Sequence, residues 1–527
     1  MNEQPNSTTI AHRSLVIDIS RNTFFGVIAS LTQMGTRLVT VPIVIAYLGL
    51  EGYGIWSIIM VAAGYMRFGS AGVKSAFLKY VAEATGNGTF EKASQLLSTG
   101  SAVMFGLSVI GLIPLAIFSD DIIKTIGVPD HLIVSAAGSI TLLAVIMVLS
   151  NVGGVYESIV MGGHRIDLIR VFNTVASIVE AVAIVVALCL GYGLITMAAI
   201  MASSEMVRLL CCYYVSKQIV PDIKIGMSNI SSRVLPDLVT FAGSYQLVAI
   251  LEVAYTAILP LAILKLFGAY IAGLYAVAYR LVSAALLPSE AFVLPLLSSA
   301  SLVQAGGSNA QMQQLLTKSF KATCALVMLP LAFTATYGSI IILAWTGLVD
   351  PALYLIVGLL CLAALFKGFS LLELALYRAS GRASMDNLRQ VLRIVILGLV
   401  CYFGNQIGIL GLIGSLVIAE CVGFVFMLIV LTRVYENFSA RRLLPDMAKI
   451  LAATLIVMAV GVLSAHLPIA WIGDPRQIAT LKLGIVSFVT VLALWPAVLL
   501  TGSLSRYELN AVLPMSFLSR SKFGLRS

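Results

Sequence analysis

The sequence predicts an all-α protein that crosses a membrane many times. Of its 527 residues, 59% are hydrophobic and only 11% are charged, and the mean hydropathy is +1.00. In soluble domains about a quarter of the residues are charged. Apolar runs long enough for a helix to cross ~30 Å of hydrocarbon follow one another along the chain. The strand-length alternation of a β-barrel is absent from the sequence.

Fourteen apolar runs qualify as membrane spans, and most of the loops between them are short. We expect a helix for each, because a spanning segment must satisfy its backbone hydrogen bonds internally. Residues 1–22 lack the apolar core of a signal peptide, so the first run is expected to be the first span. The predicted spans 1 to 14 are residues 23–48, 54–80, 94–118, 132–160, 168–190, 194–216, 238–264, 270–298, 318–345, 352–380, 388–405, 409–433, 448–470 and 478–501.

The positive charges orient these spans. With the N-terminus in the cytoplasm, most of the 33 Lys and Arg fall to the cytoplasmic side, which is the side that basic residues favour. Those that fall outside are Lys124, Lys265, Arg476 and Lys482. Both termini are therefore predicted to be cytoplasmic. The basic residues behind the net charge of +9 are then expected to orient the protein and to contact anionic lipid headgroups. We therefore expect no nucleic-acid partner.

The two halves of the chain resemble each other at an offset of 215 to 220 residues. "IPLAIFSDD" around Pro114 corresponds to "LPLAFTATY" around Pro330, and residues 193–205 correspond to residues 408–420. Further pairs in this register are Pro42 and Pro260, Glu157 and Glu373, and Glu205 and Glu420. Because the offset covers six spans, both copies share one orientation, as in transporters built from parallel repeats.

The repeat predicts two pseudo-symmetric six-helix lobes followed by two further helices. The polar, Pro-punctuated segment 218–236 is the expected joint between the lobes, partly as an interfacial helix. The stretch 302–314 is expected to be a second cytoplasmic loop. The predicted organisation is a cytoplasmic N-terminus at 1–22, an N-lobe at 23–217, a linker at 218–236, a C-lobe at 237–435, helices 13 and 14 at 436–502 and a cytoplasmic tail at 503–527.

Several charges fall inside the predicted spans, where each costs ~2.5 to 3.5 kcal/mol on insertion scales and usually faces a polar interior. Those in spans 1, 2, 7 and 8 are Arg37 in span 1, Arg67 and Lys74 in span 2, Glu252 in span 7, and Arg280 and Glu290 in span 8. The charges in other spans are Glu157, Glu180, Glu205, Lys367, Glu373 and Glu420, several of them near cytoplasmic ends. Spans 1 and 2 contain no acidic residue. An anionic ligand in a hydrated cavity is therefore the expected partner of their cations, and phosphate suits arginine best. Two alternatives stay open: Lys74 can extend to the headgroups, and Arg37 can pair with Glu252.

The chemistry of an enzyme is missing from the sequence. No phosphate-binding P-loop is present, the four histidines are scattered, and the seven cysteines show no paired spacing. We therefore expect no catalytic residue, no metal and no organic cofactor, with H⁺ or Na⁺ as the coupling cation if there is one.

Residues 21–84 resemble the N-terminal signature of the polysaccharide-biosynthesis flippases, the Wzx-type translocases of lipid-linked oligosaccharides. The matching positions are Asn22, Pro42, Leu48 and Gly49, Tyr53 and Gly54, Phe68 and Gly69, and Tyr80 to Glu83. The fourteen spans resemble the whole multidrug/oligosaccharidyl-lipid/polysaccharide exporter superfamily. The resemblance implies a V-shaped alternating-access transporter whose spans 1, 2, 7 and 8 line a central cavity.

The implied substrate is a polyprenyl-diphosphate-linked oligosaccharide, moved to the outer leaflet of a bacterial inner membrane for export of O-antigen or exopolysaccharide. The expected diphosphate-binding residues are Arg37, Arg67, Lys74 and Arg280, and those expected to couple an ion or form pairs are Glu252 and Glu290. Membrane lipids, a polysaccharide polymerase and the export machinery are the further expected partners.

Three other functions compete with this prediction. A cation-coupled multidrug exporter of the same superfamily would need acidic residues that spans 1 and 2 lack. A membrane-embedded glycan polymerase or ligase would need a large outer loop, and the longest one predicted is only about 119–131. Lipid flipping in peptidoglycan synthesis is a close neighbour of the favoured prediction.

Overall fold

The computed structural model describes residues 32–36, 38–62, 71–163, 165–306, 309–379, 383–434, 444–466 and 474–501. Within these ranges the regular structure is helical. The helices are α1 Thr32–Ala62, α2 Ala71–Asn87, α3 Phe90–Ile117, α4 Ser119–Thr125, α5 Ile133–Gly162, α6 Ile166–Cys189, α7 Leu194–Ile219, α8 Leu235–Gly306, α9 Asn309–Thr346, α10 Pro351–Ala379, α11 Ala383–Tyr402, α12 Gly404–Val434, α13 Leu444–Ala465 and α14 Pro475–Thr501.

The fourteen predicted spans all coincide with helices in the described ranges. In the part of the chain that the structure describes, eleven helical segments are long and apolar enough to cross a membrane. The segment in α8 covers most of predicted spans 7 and 8, and the segment in α1 contains the described part of span 1 and the start of span 2, whose end lies in α2. Helix α11, with three charged residues among its 20, supplies the remaining span. The chain is therefore a multi-pass membrane protein, as predicted.

Glycines in the left-handed backbone region separate paired spans and repeat between the halves of the chain. Gly49 in α1 has φ 71°, and Gly268 in α8 has φ 83°. Only glycine adopts this conformation at little cost, so these residues allow the sharp turns between spans 1 and 2 and between spans 7 and 8. A further matching pair is Gly127 with Gly347. Two pairs of left-handed glycines therefore occur at the offset of the internal repeat, and they support it.

Packing divides the chain into two compact units. Unit 1 is Met1–Val277 with Cys401–Ile409, and unit 2 is Ala278–Val400 with Leu410–Ser527. The core of unit 1 contains Phe77, Leu96 and Ile159 from α2, α3 and α5. In unit 2, Tyr337 of α9 packs with Val457 of α13 and Val486 of α14. Helices α13 and α14, which lie outside the repeat, are thereby built into the core of unit 2.

The segment 218–236, predicted as the joint between lobes, is bound along α3 inside unit 1. The backbone N–H groups of Lys224 and Ser231 donate to the hydroxyls of Ser94 (3.0 Å) and Thr99 (2.9 Å). Ile223 is buried in the same core as α3. The segment contains two 3₁₀ turns, Met227–Asn229 and Ser232–Val234, where we expected part of an interfacial helix. The segment 218–236 is therefore held against α3 as ordered chain up to about Val234.

The expected cytoplasmic loop at 302–314 is largely helical. Helix α8 continues to Gly306 and α9 begins at Asn309. The polar composition of this stretch was a misleading signal, because polar residues extend a helix as readily as they form a loop once the chain has left the hydrocarbon.

Two glycines related by the repeat allow a close helix crossing within unit 1. A Cβ added to Gly54 of α1 would lie 2.7 Å from the backbone N of Gly273 in α8 and closer still to the carbonyl oxygen of Ala269. A Cβ added to Gly273 would lie 2.8 Å from Cγ of Leu50 and closer still to its carbonyl oxygen. Leu50 and Ala269 are separated by the same 219 residues as the two glycines, so the crossing is pseudo-symmetric. The two backbones touch because neither crossing residue has a side chain.

Candidate functional site

A cluster of charged side chains joins α2, α5 and α7 inside unit 1. Glu157 Oε2 lies 3.3 Å from Arg208 Nη1 and 3.8 Å from Lys74 Nζ. Arg208 also holds Glu205 with two hydrogen bonds, at 2.6 and 2.8 Å. The hydroxyl of Ser150 donates to the same carboxylate at 2.5 Å. Two cations and two anions thus balance each other between three helices.

The local sequence explains why these side chains meet. Glu205 and Arg208 are three residues apart on α7, so they lie on the same face of the helix. The side chain of Lys74 passes directly over Gly154 of α5, where an added Cβ would lie 2.9 Å from Nζ. Any larger residue at position 154 would displace Lys74 from Glu157. Small residues on α5 therefore make room for the cluster.

A cavity of about 300 Å³ adjoins the cluster within unit 1. Its wall contains the Glu205 and Arg208 pair at one side, and its polar and apolar residues come from α1, α5, α6 and α7. The lining residues are Gln33, Thr36, Thr40, Leu143, Met147, Asn173, Ala176, Ser177, Glu180, Ala181, Ile184, Met201, Ser204, Glu205 and Arg208. A polar cavity of this size between spanning helices can hold water or a small hydroxylated ligand.

Two of the four predicted diphosphate-binding residues, Arg37 and Arg67, lie outside the described residues. Lys74 lies in the charged cluster, with about a quarter of its side chain exposed. Arg280 is half-buried on α8 in unit 2. Among the described residues, no carboxylate lies within 4.0 Å of its guanidinium group.

The two predicted coupling residues, Glu252 and Glu290, lie in different units. Glu252 is half-buried on the first part of α8, in unit 1, and its backbone carbonyl accepts from Thr256 at 3.0 Å. Glu290 is exposed on the last part of α8, in unit 2. The alternative pairing of Glu252 with Arg37 stays a prediction, because Arg37 is outside the described residues.

Sequence reasoning overlooked Arg208, which is only 6% exposed. It falls toward the cytoplasmic end of predicted span 6, where a basic residue is expected to reach the headgroups. The spacing of Glu205 and Arg208 was the available signal, since an acid and a base three residues apart on an apolar helix often pair.

Unit 2 contains its own buried charge cluster, between α11 and α12. Arg393 of α11 is 1% exposed and pairs with Glu420 of α12, which is 3% exposed. Arg393 also donates to Gln390 Oε1 at 2.7 Å, and Arg389 pairs with Asp386 at 2.7 Å. The repeat partners Glu205 and Glu420 thus both hold an arginine, but the arginine comes from the same helix in unit 1 and from a neighbouring helix in unit 2.

Replacing Glu157 by glutamine should destabilise unit 1 by about 1 to 3 kcal/mol, the usual cost of leaving a buried group without its partner. Lys74 and Arg208 would then both lose the carboxylate of Glu157 as a partner. Thermal unfolding of the purified protein in detergent measures the effect. The control is Glu91→Gln, which changes an exposed carboxylate on α3 and should leave the transition unchanged. Equal shifts for both variants would contradict a structural role for the cluster.

Comparison with known proteins gives a family and a fold. A family model described as "Polysaccharide biosynthesis protein" matches residues 19–301, more than half of the chain. No curated protein sequence matches the chain. The described fold agrees with solved structures of membrane transporters, at sequence identities that indicate fold alone.

One similar structure is titled "Lipid II flippase MurJ, inward closed conformation"; it has a TM-score of 0.71 and 14% identity, covering 89% of this chain and 98% of that one. Another is an inward-facing multidrug resistance MATE family transporter of the MOP superfamily, with a TM-score of 0.66 and 15% identity over 77% of this chain and 96% of that one. A third is a MOP superfamily transporter from Pyrococcus furiosus, with a TM-score of 0.53 and 15% identity over 80% and 95% of the two chains. With the fold of these transporters and a family match over residues 19–301, the chain belongs to the polysaccharide biosynthesis protein family.

Proposed function

We propose that this protein is a flippase for a polyprenyl-diphosphate-linked oligosaccharide. It moves this lipid from the cytoplasmic to the outer leaflet of a bacterial inner membrane by alternating access, in the export of a cell-surface polysaccharide such as O-antigen or exopolysaccharide. The observation that carries the proposal is the family match over residues 19–301. The fold similarity to a structure titled as a lipid II flippase supports it.

The diphosphate docks on arginines of the predicted cavity-lining spans. Arg37, Arg67 and Arg280 are the main binding residues, because guanidinium groups bind phosphate oxygens in a bidentate manner. Lys74 is a weaker contributor, since it already faces Glu157 at 3.8 Å. The glycan crosses in the hydrated interior while the prenyl chain stays in the lipid.

Energy for transport comes from an ion gradient or from the membrane potential. The sequence contains no P-loop for a nucleotide. A potential of 100 mV is worth ~2.3 kcal/mol for each charge moved. Glu252 and Glu290 are the proposed positions for a coupling H⁺ or Na⁺, and the polymerase and export machinery act on the product at the outer leaflet.

Deletion of the gene followed by a leaflet assay tests the proposal directly. Lipid-linked glycan should build up facing the cytoplasm, where membrane-impermeant reagents added outside intact cells do not reach it. Normal export and no accumulation would overturn the proposal. The chemical identity of the accumulated glycan also separates surface-polysaccharide export from lipid II flipping.

Replacing Arg37 by alanine should slow export at least tenfold at normal protein levels. A hydrogen-bonded contact to a charged group contributes about 1.5 to 3 kcal/mol, and each 1.4 kcal/mol is a factor of ten. The measurement is the rate of glycan export in a deletion strain complemented by each variant. Arg170→Ala, which removes an exposed arginine on α6, is the matched control. Retained export in the Arg37 variant would remove this residue from the diphosphate site.

Multidrug export is the second candidate, and the fold similarity to a multidrug resistance transporter is the observation that favours it. It predicts that deletion increases sensitivity to cationic drugs while lipid-linked glycan remains normally distributed.

A further inference from the structure

We propose that the 300 Å³ cavity of unit 1 binds one sugar of the transported glycan. This inference rests on the proposed function, because it names which part of the lipid-linked oligosaccharide the cavity accepts. It adds a glycan-binding site to the diphosphate site, on different residues.

Three polar side chains of the cavity wall can form hydrogen bonds with a ligand. Gln33 of α1, Asn173 of α6 and Ser204 of α7 all line the cavity. None of these side chains makes a hydrogen bond to another residue in the part of the chain that the structure describes. Each amide offers both a donor and an acceptor, and the hydroxyl offers the same. All three residues are half-buried, so water or a ligand in the cavity provides their hydrogen-bond partners.

The size and the mixed character of the wall suit a single sugar ring. A volume of about 300 Å³ corresponds to about ten water molecules and lies at the lower end of small-molecule sites. Leu143, Met147 and Ile184 add apolar surface to the wall that contains the amides and hydroxyls. A sugar ring likewise combines polar and apolar surface, since its hydroxyls need hydrogen bonds while its C–H faces pack against apolar side chains.

The wall contains one cation and two carboxylates, Arg208, Glu180 and Glu205. Glu205 is already held by Arg208 and by Ser150, and among the described residues no group of three or more His, Cys, Asp or Glu could hold a metal ion. A neutral polyhydroxylated ligand therefore fits this wall better than a metal cation. Hard cations require a shell of oxygen ligands, whereas Asn173 and Gln33 present N–H groups as well as oxygens. A sugar hydroxyl can donate to an oxygen and accept from an N–H.

The experiment measures binding of two lipids to the purified full-length protein in detergent. One lipid is the oligosaccharide-linked polyprenyl diphosphate that accumulates in the deletion strain, and the other is polyprenyl diphosphate without sugar. The variants are Ser204→Ala and Asn173→Leu, and the matched control is Ser203→Val. Ser203 is the neighbour of Ser204 on α7, but it is exposed and its hydroxyl donates to the carbonyl of Ala199 at 2.8 Å.

We expect each cavity variant to bind the glycosylated lipid about three- to tenfold more weakly, the loss of one or two net hydrogen bonds, and to bind the sugar-free lipid as the wild type does. The control should bind both lipids normally. Equal weakening for both lipids, or none, would overturn the sugar site while leaving the flippase proposal intact. A change only in the Na⁺ or pH dependence of binding would instead assign the cavity to an ion. If the wild type binds neither lipid, the proposed function itself fails.

Ser204→Ala is the smaller of the two changes, and it is the variant whose fold we expect to be unaffected. It removes one hydroxyl and no hydrogen bond to a described residue, so its unfolding temperature should match that of the wild type. A binding defect in this variant at unchanged stability therefore reports the ligand contact itself.

Discussion

Replacing Gly273 by alanine is expected to force α1 and α8 apart at their crossing and to destabilise unit 1. The added Cβ would lie 2.8 Å from Cγ of Leu50 and closer to its backbone carbonyl. A carbonyl oxygen of a helix cannot rotate away as a flexible side chain can, so the helices themselves must shift. Overpacking of this kind typically costs 1–3 kcal/mol, and contact with backbone places this variant at the upper end.

Gly54→Ala should have the same effect, because the crossing is pseudo-symmetric. Its Cβ would lie 2.7 Å from the backbone N of Gly273. The two substitutions should not be additive, since the first already separates the helices that the second would separate. Thermal unfolding of both single variants and of the double variant in detergent provides the complete cycle.

Gly106→Ala on α3 is the matched control for the crossing. An added Cβ at position 106 meets nothing within 4 Å. Alanine has a higher helix propensity than glycine by about 0.8 to 1 kcal/mol, so this variant should be neutral or more stable than the wild type. If Gly273→Ala behaved like Gly106→Ala, the close approach of the two backbones would be contradicted.

The crossing also connects to the proposed transport cycle. With the orientation that the positive charges predict, Gly54 and Gly273 lie near the outer ends of spans 2 and 8. A transporter that opens outward must loosen contacts on that side. We therefore expect Gly273→Ala to slow transport as well, because a crossing that cannot close fully disfavours the state that receives substrate from the cytoplasm.

The helices and their repeat were predictable because both depend on local composition. An apolar run of membrane length has no alternative to a helix in hydrocarbon, so each predicted span overlaps a described helix. The helix ends were predicted less well, since α8 continues to Gly306 and α9 begins at Asn309 where the spans were expected to end at 298 and to begin at 318. The turn at Gly268 was predictable from Gly49 through the repeat. By contrast, polarity alone did not distinguish a loop from a helix end at 302–314.

The charge clusters were only partly predictable. The sequence identified Lys74 and Glu157 as charges inside spans, but it did not identify each as the partner of the other. Their pairing depends on how α2 packs on α5 and on the absence of a side chain at Gly154. Such contacts between distant segments leave no periodic signal. Arg208 was missed because a basic residue near a helix end has the same appearance whether it reaches the headgroups or turns inward.

Removing one member of the buried pair between Arg393 and Glu420 should be among the most damaging single changes in unit 2. Both side chains are at most 3% exposed, so neither can reach water when its partner is lost. Breaking a buried ion pair in this way costs about 3 to 5 kcal/mol, because an uncompensated charge stays in a medium of low polarity. We expect Glu420→Leu and Arg393→Met each to lower the stability by this amount.

The double variant Arg393→Met with Glu420→Leu should recover much of that loss. Replacing both members of a buried pair by apolar residues of similar volume is often neutral or even stabilising. The free energy of unfolding of the two single variants and the double variant in detergent gives a coupling of several kcal/mol if the pair acts as a unit. An additive result would mean that Arg393 depends mainly on other groups, such as Gln390, which accepts from it at 2.7 Å.

The exposed pair of Lys79 and Glu83 on α2 is the comparison that isolates burial as the cause. Its charges are 3.7 Å apart and nearly half exposed, and pairs of this kind contribute about 0.3 to 0.5 kcal/mol. Alanine at either position should therefore change the stability very little. The contrast between the two pairs would show that the Arg393 and Glu420 pair matters because water cannot replace either partner.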